Sequence, residues 1–239
     1  MVKKLPELSI FFPFWNEEKN IEFIVSRAIE IAPTISDKWE IIIVDDGSSD
    51  QTLEIAGKIA EKNKNIRVIS HQPNRGYGAA LREGFENAKY EYVVFTDGDG
   101  QFDFGEVTEF VEKIQHADIV IGFRKVRRDR KIFKRLLLMN LLKVWDQALF
   151  GFGFRDIDCG FKMFRKSALT EISPLRSEGA MITTEILVKA RKKGLRIEQV
   201  GVTHYPREHG IQTGANIPVI TRAVLESLIL WLDIKNRRF

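Results

Sequence analysis

Along the first half of the chain, short apolar runs rich in β-branched and aromatic residues alternate with helical patterns. The runs cover residues 8–12, 40–44, 66–70, 92–96 and 118–121, and the helical patterns cover about 17–31, 50–63, 76–88 and 105–114. Strand alternating with helix at this spacing predicts βαβ units, hence a mostly parallel sheet covered by helices. The run Ile41-Ile42-Ile43-Val44 is apolar without alternation, as a strand buried on both faces requires.

The second half changes character. It contains a long helical pattern over 132–149, a Gly/Phe-rich turn at 151–154, a strand-like run at 160–164, a helix near 180–193 and a strand near 196–202. A terminal helix follows, with Asn216 as its cap and Pro218 in its first turn, where a missing N–H costs nothing. Ile217, Ile220, Val224, Leu228 and Trp231 recur at spacings of three and four, a stripe expected to pack on its own domain. Without repeats or low-complexity linkers, the expected organisation is one α/β domain over 1–215, with a basic segment at 124–149 inside it, and an amphipathic helix over 216–239.

In an open parallel sheet, ligands bind beyond the carboxyl ends of the strands. Here those ends read Pro13-Phe-Trp-Asn-Glu17, Asp45-Asp-Gly-Ser-Ser-Asp50 and Asp97-Gly-Asp-Gly-Gln101. So many carboxylates on one edge repel one another unless a cation or donor groups offset them. Asp97 and Asp99, two apart in a glycine-flanked turn, are suited to one hard divalent ion shared with a substrate diphosphate, and Gln101 adds a neutral oxygen. Gly76-Tyr-Gly78 lacks the third small residue of a dinucleotide fingerprint and reads as a helix start that approaches a ligand. No phosphate-cradling P-loop occurs, and His204 and His209 lack the companions of a metal site.

Charge sharpens the picture. The 239 residues carry a net charge of +4, yet Arg124, Lys125, Arg127, Arg128, Arg130, Lys131, Lys134 and Arg135 face only Asp129 within one short stretch. A concentrated cationic segment on a slightly acidic body points to an anionic partner. Nucleic acid is a weak choice, since only Phe123 and Phe133 interleave the run as stacking residues. An anionic membrane surface suits it better, because an apolar helical stretch follows immediately. The longest uninterrupted apolar run, Leu228 to Leu232, is far too short to span a bilayer, and the N-terminal residues do not form a signal peptide. With a single cysteine, Cys159, the expectation is a cytoplasmic protein, peripheral at the cytoplasmic membrane face.

The motifs Pro13-x-x-Asn16-Glu17, Val44-Asp-Asp-Gly-Ser-Ser-Asp50, Asn74-x-Gly76 and Asp97-Gly-Asp99-x-Gln101, in this order, resemble the family 2 inverting glycosyltransferases of GT-A fold, a Rossmann-like α/β architecture. Gly122-Phe-Arg124, Asp156-x-Asp-Cys-Gly-Phe161-x-x-Phe-Arg165, Glu185 and Tyr205-Pro-Arg207-x-x-Gly210 resemble its branch of dolichol-phosphate mannose synthases and polyprenyl-phosphate glycosyltransferases. The resemblance implies a nucleotide-sugar donor, a polyprenyl-phosphate acceptor and Mg2+ or Mn2+. It implies that Pro13, Asn16, Glu17, Asp45, Asp46 and Gly76 lie on the nucleoside side. Asp97, Asp99 and Gln101 would hold the metal and diphosphate, while Asp99, Arg124, Arg207 and Glu185 would serve the transfer itself. Trp15, Asp158, Cys159, Thr183 and Gln212-Thr213 depart from the branch pattern, on the sugar and acceptor side. Transfer to a sugar or protein hydroxyl, with Asp156, Asp158 or Glu185 as base, is the rival enzyme reading, and a homodimer is a further possible assembly.

Overall fold

The structure, a computed structural model, describes residues 3–126, 145, 149–151, 153–210 and 217–236; the side chains of 217–220 fall outside this description. Seven strands form one sheet: β1 (Leu5–Phe14), β2 (Ser36–Asp45), β3 (Ile66–Ser70), β4 (Tyr92–Thr96), β5 (Ile119–Arg124), β6 (Phe161–Arg165) and β7 (Ile197–Val202), in the order β3-β2-β1-β4-β6-β5-β7. Neighbours pair in parallel except β6, which runs antiparallel to both β4 and β5. The expected mostly parallel sheet is therefore present, with one reversed strand inserted between its halves.

The unalternating apolar strands divide their side chains between two cores. Ile10, Phe12, Ile41 and Ile43 enter the core under α1 (Ile21–Ile35), α2 (Thr52–Lys62) and α4 (Val107–Ile114). Phe11, Ile42 and Val44 enter the opposite core, with α3 (Tyr77–Asn87), α5 (Lys166–Ile172), α6 (Met181–Lys192) and α7 (Ile217–Lys235). Burial on both faces is what parallel sheets demand. Pro13, next to last in β1, does not disturb the strand, because pairing with β4 stops at Phe11–Phe95 and leaves no partner there for the N–H that proline lacks.

Two expectations change. The short helix α5, carrying inward Ala168, Leu169 and Ile172, is absent from the sequence pattern because its seven residues hold too few turns to show a period. In α7 the inward face is Ala223, Ser227 and Leu230, with Ile234 packed behind them, whereas Leu228 of the expected stripe is 36% exposed. The helix is apolar nearly all round, so spacing alone could not choose its buried face; the small Ala223 and Ser227 let it approach closely. Residues 127–144 and 146–148, most of the expected basic segment and its helix, lie outside the described residues. Among the described residues no helix is long and apolar enough to cross a membrane.

Candidate active site

The carboxyl ends of β1, β2 and β4 converge, and the loops that follow them are fastened to one another by side chains. Asn16 takes φ 55°, a left-handed conformation that asparagine tolerates. Its N–H donates to Ser48 Oγ at 2.9 Å and its Oδ1 accepts from the Ser49 N–H at 2.7 Å, closing the β1 loop onto the β2 loop. Asp45 is fully buried and accepts from the Ser48 N–H and the Ser70 hydroxyl. Asp46 organises the next loop: its carboxylate accepts from the N–H groups of Arg75 and Gly76 at 2.9 and 2.8 Å and faces His71 Nδ1 at 2.9 Å. The other ring nitrogen of His71 faces Glu83 at 3.3 Å. Asn16, Asp45 and Asp46 thus stand at the expected edge, with their polar atoms engaged in shaping it.

Gly76 adopts φ 95°, and a Cβ there would lie 2.9 Å from the Glu178 carbonyl oxygen. The Gly78 N–H donates to that same oxygen at 2.8 Å, so the start of α3 is pressed against the turn at 176–178. Between the two glycines, Tyr77 reaches across to donate its hydroxyl to Asp97 Oδ1 at 2.7 Å. Tyr77 was not singled out by sequence; a tyrosine flanked by glycines at a helix start is the signal that could have found it.

Asp97 sits at the seam between β4 and β6. Its N–H donates to the Gly160 carbonyl at 2.9 Å, and a Cβ at Gly160 would fall 1.9 Å from its carboxylate. Only glycine leaves room for the acid. Burial, reinforced by the charge of Asp99, pushes Asp97 up to about 7 against the opposing Tyr77 hydrogen bond and the cations of Lys162 and Arg124. Asp99 is raised too, chiefly by burial. Lys162, a charged residue in an apolar strand, is fully buried and donates to the carbonyls of Ile157 and Cys159, holding the turn beneath Asp97.

The loop after β7 closes the other side. Arg207 donates to Glu17 and lies 3.6 Å from Asp99 Oδ2. Glu17 also accepts from Asn20 at 2.6 Å, yet burial outweighs both partners and pushes it up to about 7. Gln101 donates its side-chain amide to the Tyr205 carbonyl at 3.0 Å and so straps this loop to the β4 loop. Arg124 forms a two-pronged pair with Asp156 at 2.7 and 2.8 Å, close enough to Asp97 to act on its charge. Glu185 is turned away from this cluster. Its carboxylate accepts from the N–H groups of Arg176 and Ser177 and pairs with Lys189 at 2.7 Å, supporting the turn on which α3 begins.

Asp97 and Asp99 fit a hard divalent ion. They are neighbouring carboxylates whose ionisation is opposed by burial and by each other, so a cation would relieve both. Magnesium and manganese are commonly held by one or two carboxylates, with water and substrate phosphates completing the shell.

The profile of glycosyl transferase family 2 matches residues 9–173. A dolichyl-phosphate beta-glucosyltransferase of Saccharomyces cerevisiae is 32% identical over 220 residues, 82% of this chain and 66% of that protein. Dodecaprenyl-phosphate galacturonate synthase of Rhizobium johnstonii is 29% identical over 208 residues, 86% of this chain and 61% of that protein. The chain thus spans slightly under two thirds of the length of these two relatives. Polyprenol monophosphomannose synthase of Mycolicibacterium smegmatis is 28% identical over 220 residues, 87% of this chain and 82% of that protein. Among solved structures, glucosyl-3-phosphoglycerate synthase from Mycobacterium tuberculosis, in complex with Mn2+, uridine diphosphate and glucosyl-3-phosphoglycerate, matches with a TM-score of 0.69 at 22% identity, over 95% of this chain and 80% of that one. It shares the GT-A fold.

Proposed function

The chain belongs to glycosyl transferase family 2, and on that footing we propose that it transfers a sugar, with inversion, from a nucleotide-diphosphate sugar to a polyprenyl or dolichyl phosphate. GDP-mannose or a UDP-hexose is the donor, and Mg2+ or Mn2+ assists. The work is done at the cytoplasmic face of a membrane, which the basic segment 124–149 helps to contact. The observation that carries this reading is the gathering of three acids at the strand ends, Asp99 and Glu17 under Arg207 and Asp97 beside Asp99 within reach of the Arg124 charge. The three sequence relatives, a dolichyl-phosphate glucosyltransferase, a dodecaprenyl-phosphate galacturonate synthase and a polyprenol monophosphomannose synthase, support the acceptor class.

The bound ion would be held by Asp97 and Asp99, with Gln101 nearby, and would supply charge neutralisation for the donor diphosphate. The chain's own residues do the rest. Asp45, Asp46 and Asn16 fix the loops that receive the nucleoside, beside Pro13 and Gly76. Arg207 exchanges Glu17 for a phosphate, and Arg124, locked by Asp156, presents a constant positive field. The acceptor phosphate oxygen forms the new bond to the anomeric carbon as the bond to the diphosphate breaks, and the nucleoside diphosphate leaves. Because that phosphate is already an anion, no residue needs to remove a proton. This agrees with Asp156 and Glu185 being engaged by other groups, which leaves the hydroxyl-acceptor reading only exposed Asp158 as base.

Calorimetric titration with UDP and GDP, with and without Mn2+, followed by transfer of labelled sugar to a polyprenyl phosphate in detergent, tests the proposal. Ion-dependent binding of one nucleotide and labelled lipid product are expected. Absence of binding to either nucleotide would overturn it.

A further inference from the structure

His71 follows β3 on the same edge of the sheet as the site. It is 5% exposed, and its backbone N–H donates to the Asp45 carbonyl oxygen at 2.9 Å. Its ring lies between two carboxylates: Nδ1 is 2.9 Å from Asp46 Oδ1, and Nε2 is 3.3 Å from Glu83 Oε2. Glu83 lies in the second turn of α3, where Asn87 donates to its other oxygen at 2.9 Å. Among the described residues, Asp46 from the β2 loop and Glu83 from α3 are the charged groups that face the ring, with Arg75 behind Glu83 at 3.8 Å. An ionised carboxylate only accepts, and a neutral imidazole has one N–H to give. Both contacts are hydrogen bonds only when each ring nitrogen carries a proton.

The ring acts where the binding edge is assembled. Besides the Arg75 and Gly76 N–H groups on its carboxylate, Asp46 accepts the Asn74 side-chain amide at its carbonyl oxygen, at 2.6 Å. A Cβ at Gly47 would lie 2.5 Å from the Asn74 nitrogen, so the loop 72–76 rests directly on the β2 loop. Without His71, the Asp46 carboxylate would be steadied mainly by the loop that it has to steady. With it, Asp46 is tied back to the end of β3 and, through Glu83, forward to α3, so that one side chain spans both ends of the loop 72–76. Gly76 opens α3, and Tyr77 beside it reaches Asp97. We propose that His71 is a positioning residue for donor binding: with both nitrogens protonated it clamps Asp46 to Glu83 and so fixes the loop and the first turn of α3 against the nucleotide. It acts through Asp46 and Tyr77, and the clamp slackens when the ring loses its second proton. This inference rests on the nucleotide-sugar reading given above and adds the residue that holds the donor edge in shape.

The test is calorimetric titration of the full chain with UDP and GDP in the presence of Mn2+. His71→Asn keeps an N–H near the place of Nδ1, towards Asp46, and His71→Gln puts one near the place of Nε2, towards Glu83. His71→Phe fills the space of the ring and donates nothing. His71→Phe and His71→Gln should bind the nucleotide at least about tenfold more weakly than wild type, while His71→Asn holds the loss to about threefold. A ring that only fills space gives the reverse order, with His71→Phe nearest to wild type and His71→Asn, which leaves a gap, furthest from it. His71→Gln decides the matter should His71→Phe not fold. Nitrogen-15 spectra of the ring report its second proton. Over the pH range in which that proton is lost, wild-type affinity should fall to that of His71→Asn; Glu17, Asp97 and Asp99 titrate in both proteins, so the ratio isolates the ring. Undiminished binding by His71→Phe and His71→Gln, the reverse order, or a ratio that stays level through the ring's titration would each overturn the proposal alone. Failure of wild type to bind either nucleotide would overturn the functional reading and this inference with it.

Discussion

The hydroxyl of Tyr77 donates to Oδ1 of Asp97 at 2.7 Å, joining the first turn of α3 to the end of β4. Burial holds the phenol's own ionisation well above its ordinary range, so Tyr77 is a permanent donor here. Its hydrogen bond favours the ionised form of Asp97, and a bond to a charged group is worth about 1.5–3 kcal/mol. Tyr77→Phe should therefore weaken Mn2+-dependent nucleotide binding by about tenfold at neutral pH, read by titration calorimetry. Equal affinities in mutant and wild type would mean that the contact does not tune the acid.

Asp97 and Glu17 are both raised to about 7, mainly by burial. A raised acid binds its proton more tightly when folded, so its contribution to stability is present below the unfolded value and is lost as pH rises through the folded one. The melting temperature of the ligand-free protein should fall between pH 5 and 7.5 relative to that of Asp97→Asn. Glu40, where burial is outweighed by hydrogen bonds from Ser9, Lys89 and Arg67 that lower it, acts oppositely, but only in the acid range below this window. Cation binding requires the ionised acids, so apparent Mn2+ affinity should climb with pH up to about 7, by about tenfold per unit for each proton released. A flat profile would contradict the shifted acids.

Asp99→Ala removes one of two carboxylates from a loop. Turnover should drop by at least about a thousandfold, with a melting temperature within a few degrees of wild type, since the side chain gives up only one hydrogen bond, from the Gln101 N–H, and a 3.6 Å approach to Arg207. Full activity in the mutant, or undiminished wild-type activity in chelator, would refute the metal assignment.

Asp46→Asn tests structure more than contact. The carboxylate meets two backbone N–H groups and a buried histidine, and an amide offers only one acceptor oxygen to replace them. A loss of about 2–4 kcal/mol in urea unfolding is expected, together with weaker nucleotide binding. A variant of unchanged stability with weakened binding would instead assign Asp46 directly to the nucleotide.

The βαβ order and the chemical edge of the sheet were legible in the sequence because each is written locally. Residues 66–70 and 92–96 are short runs rich in β-branched or aromatic residues, and they form strands with those limits. The acidic strand ends follow directly from chain direction in a parallel sheet. The reversed direction of β6 was hidden, because strand polarity depends on where the connecting chain returns, not on the strand's own residues. The orientation of Glu185 was hidden likewise: a glutamate on a helix carries no mark of whether it faces a ligand or the N–H groups of a neighbouring turn. The inner face of α7 was obscured by apolar residues on both sides of it.

The reversed strand also bears on how the protein comes into being. Among the described residues, the sheet half formed by β3, β2, β1 and β4 meets the half formed by β6, β5 and β7 along the ladder of Tyr92–Thr96 with Phe161–Arg165. While the chain is being synthesised, the first half is complete long before Phe161 has left the ribosome. Until then it ends in β4, an apolar edge with unpaired N–H and C=O groups, which is the kind of surface that recruits strands from other chains. Closing that edge and seating Gly160 against Asp97 are one event. The nascent protein is therefore most prone to aggregate in the interval before its active site can exist, and a chaperone that shields Tyr92–Thr96 would protect both at once.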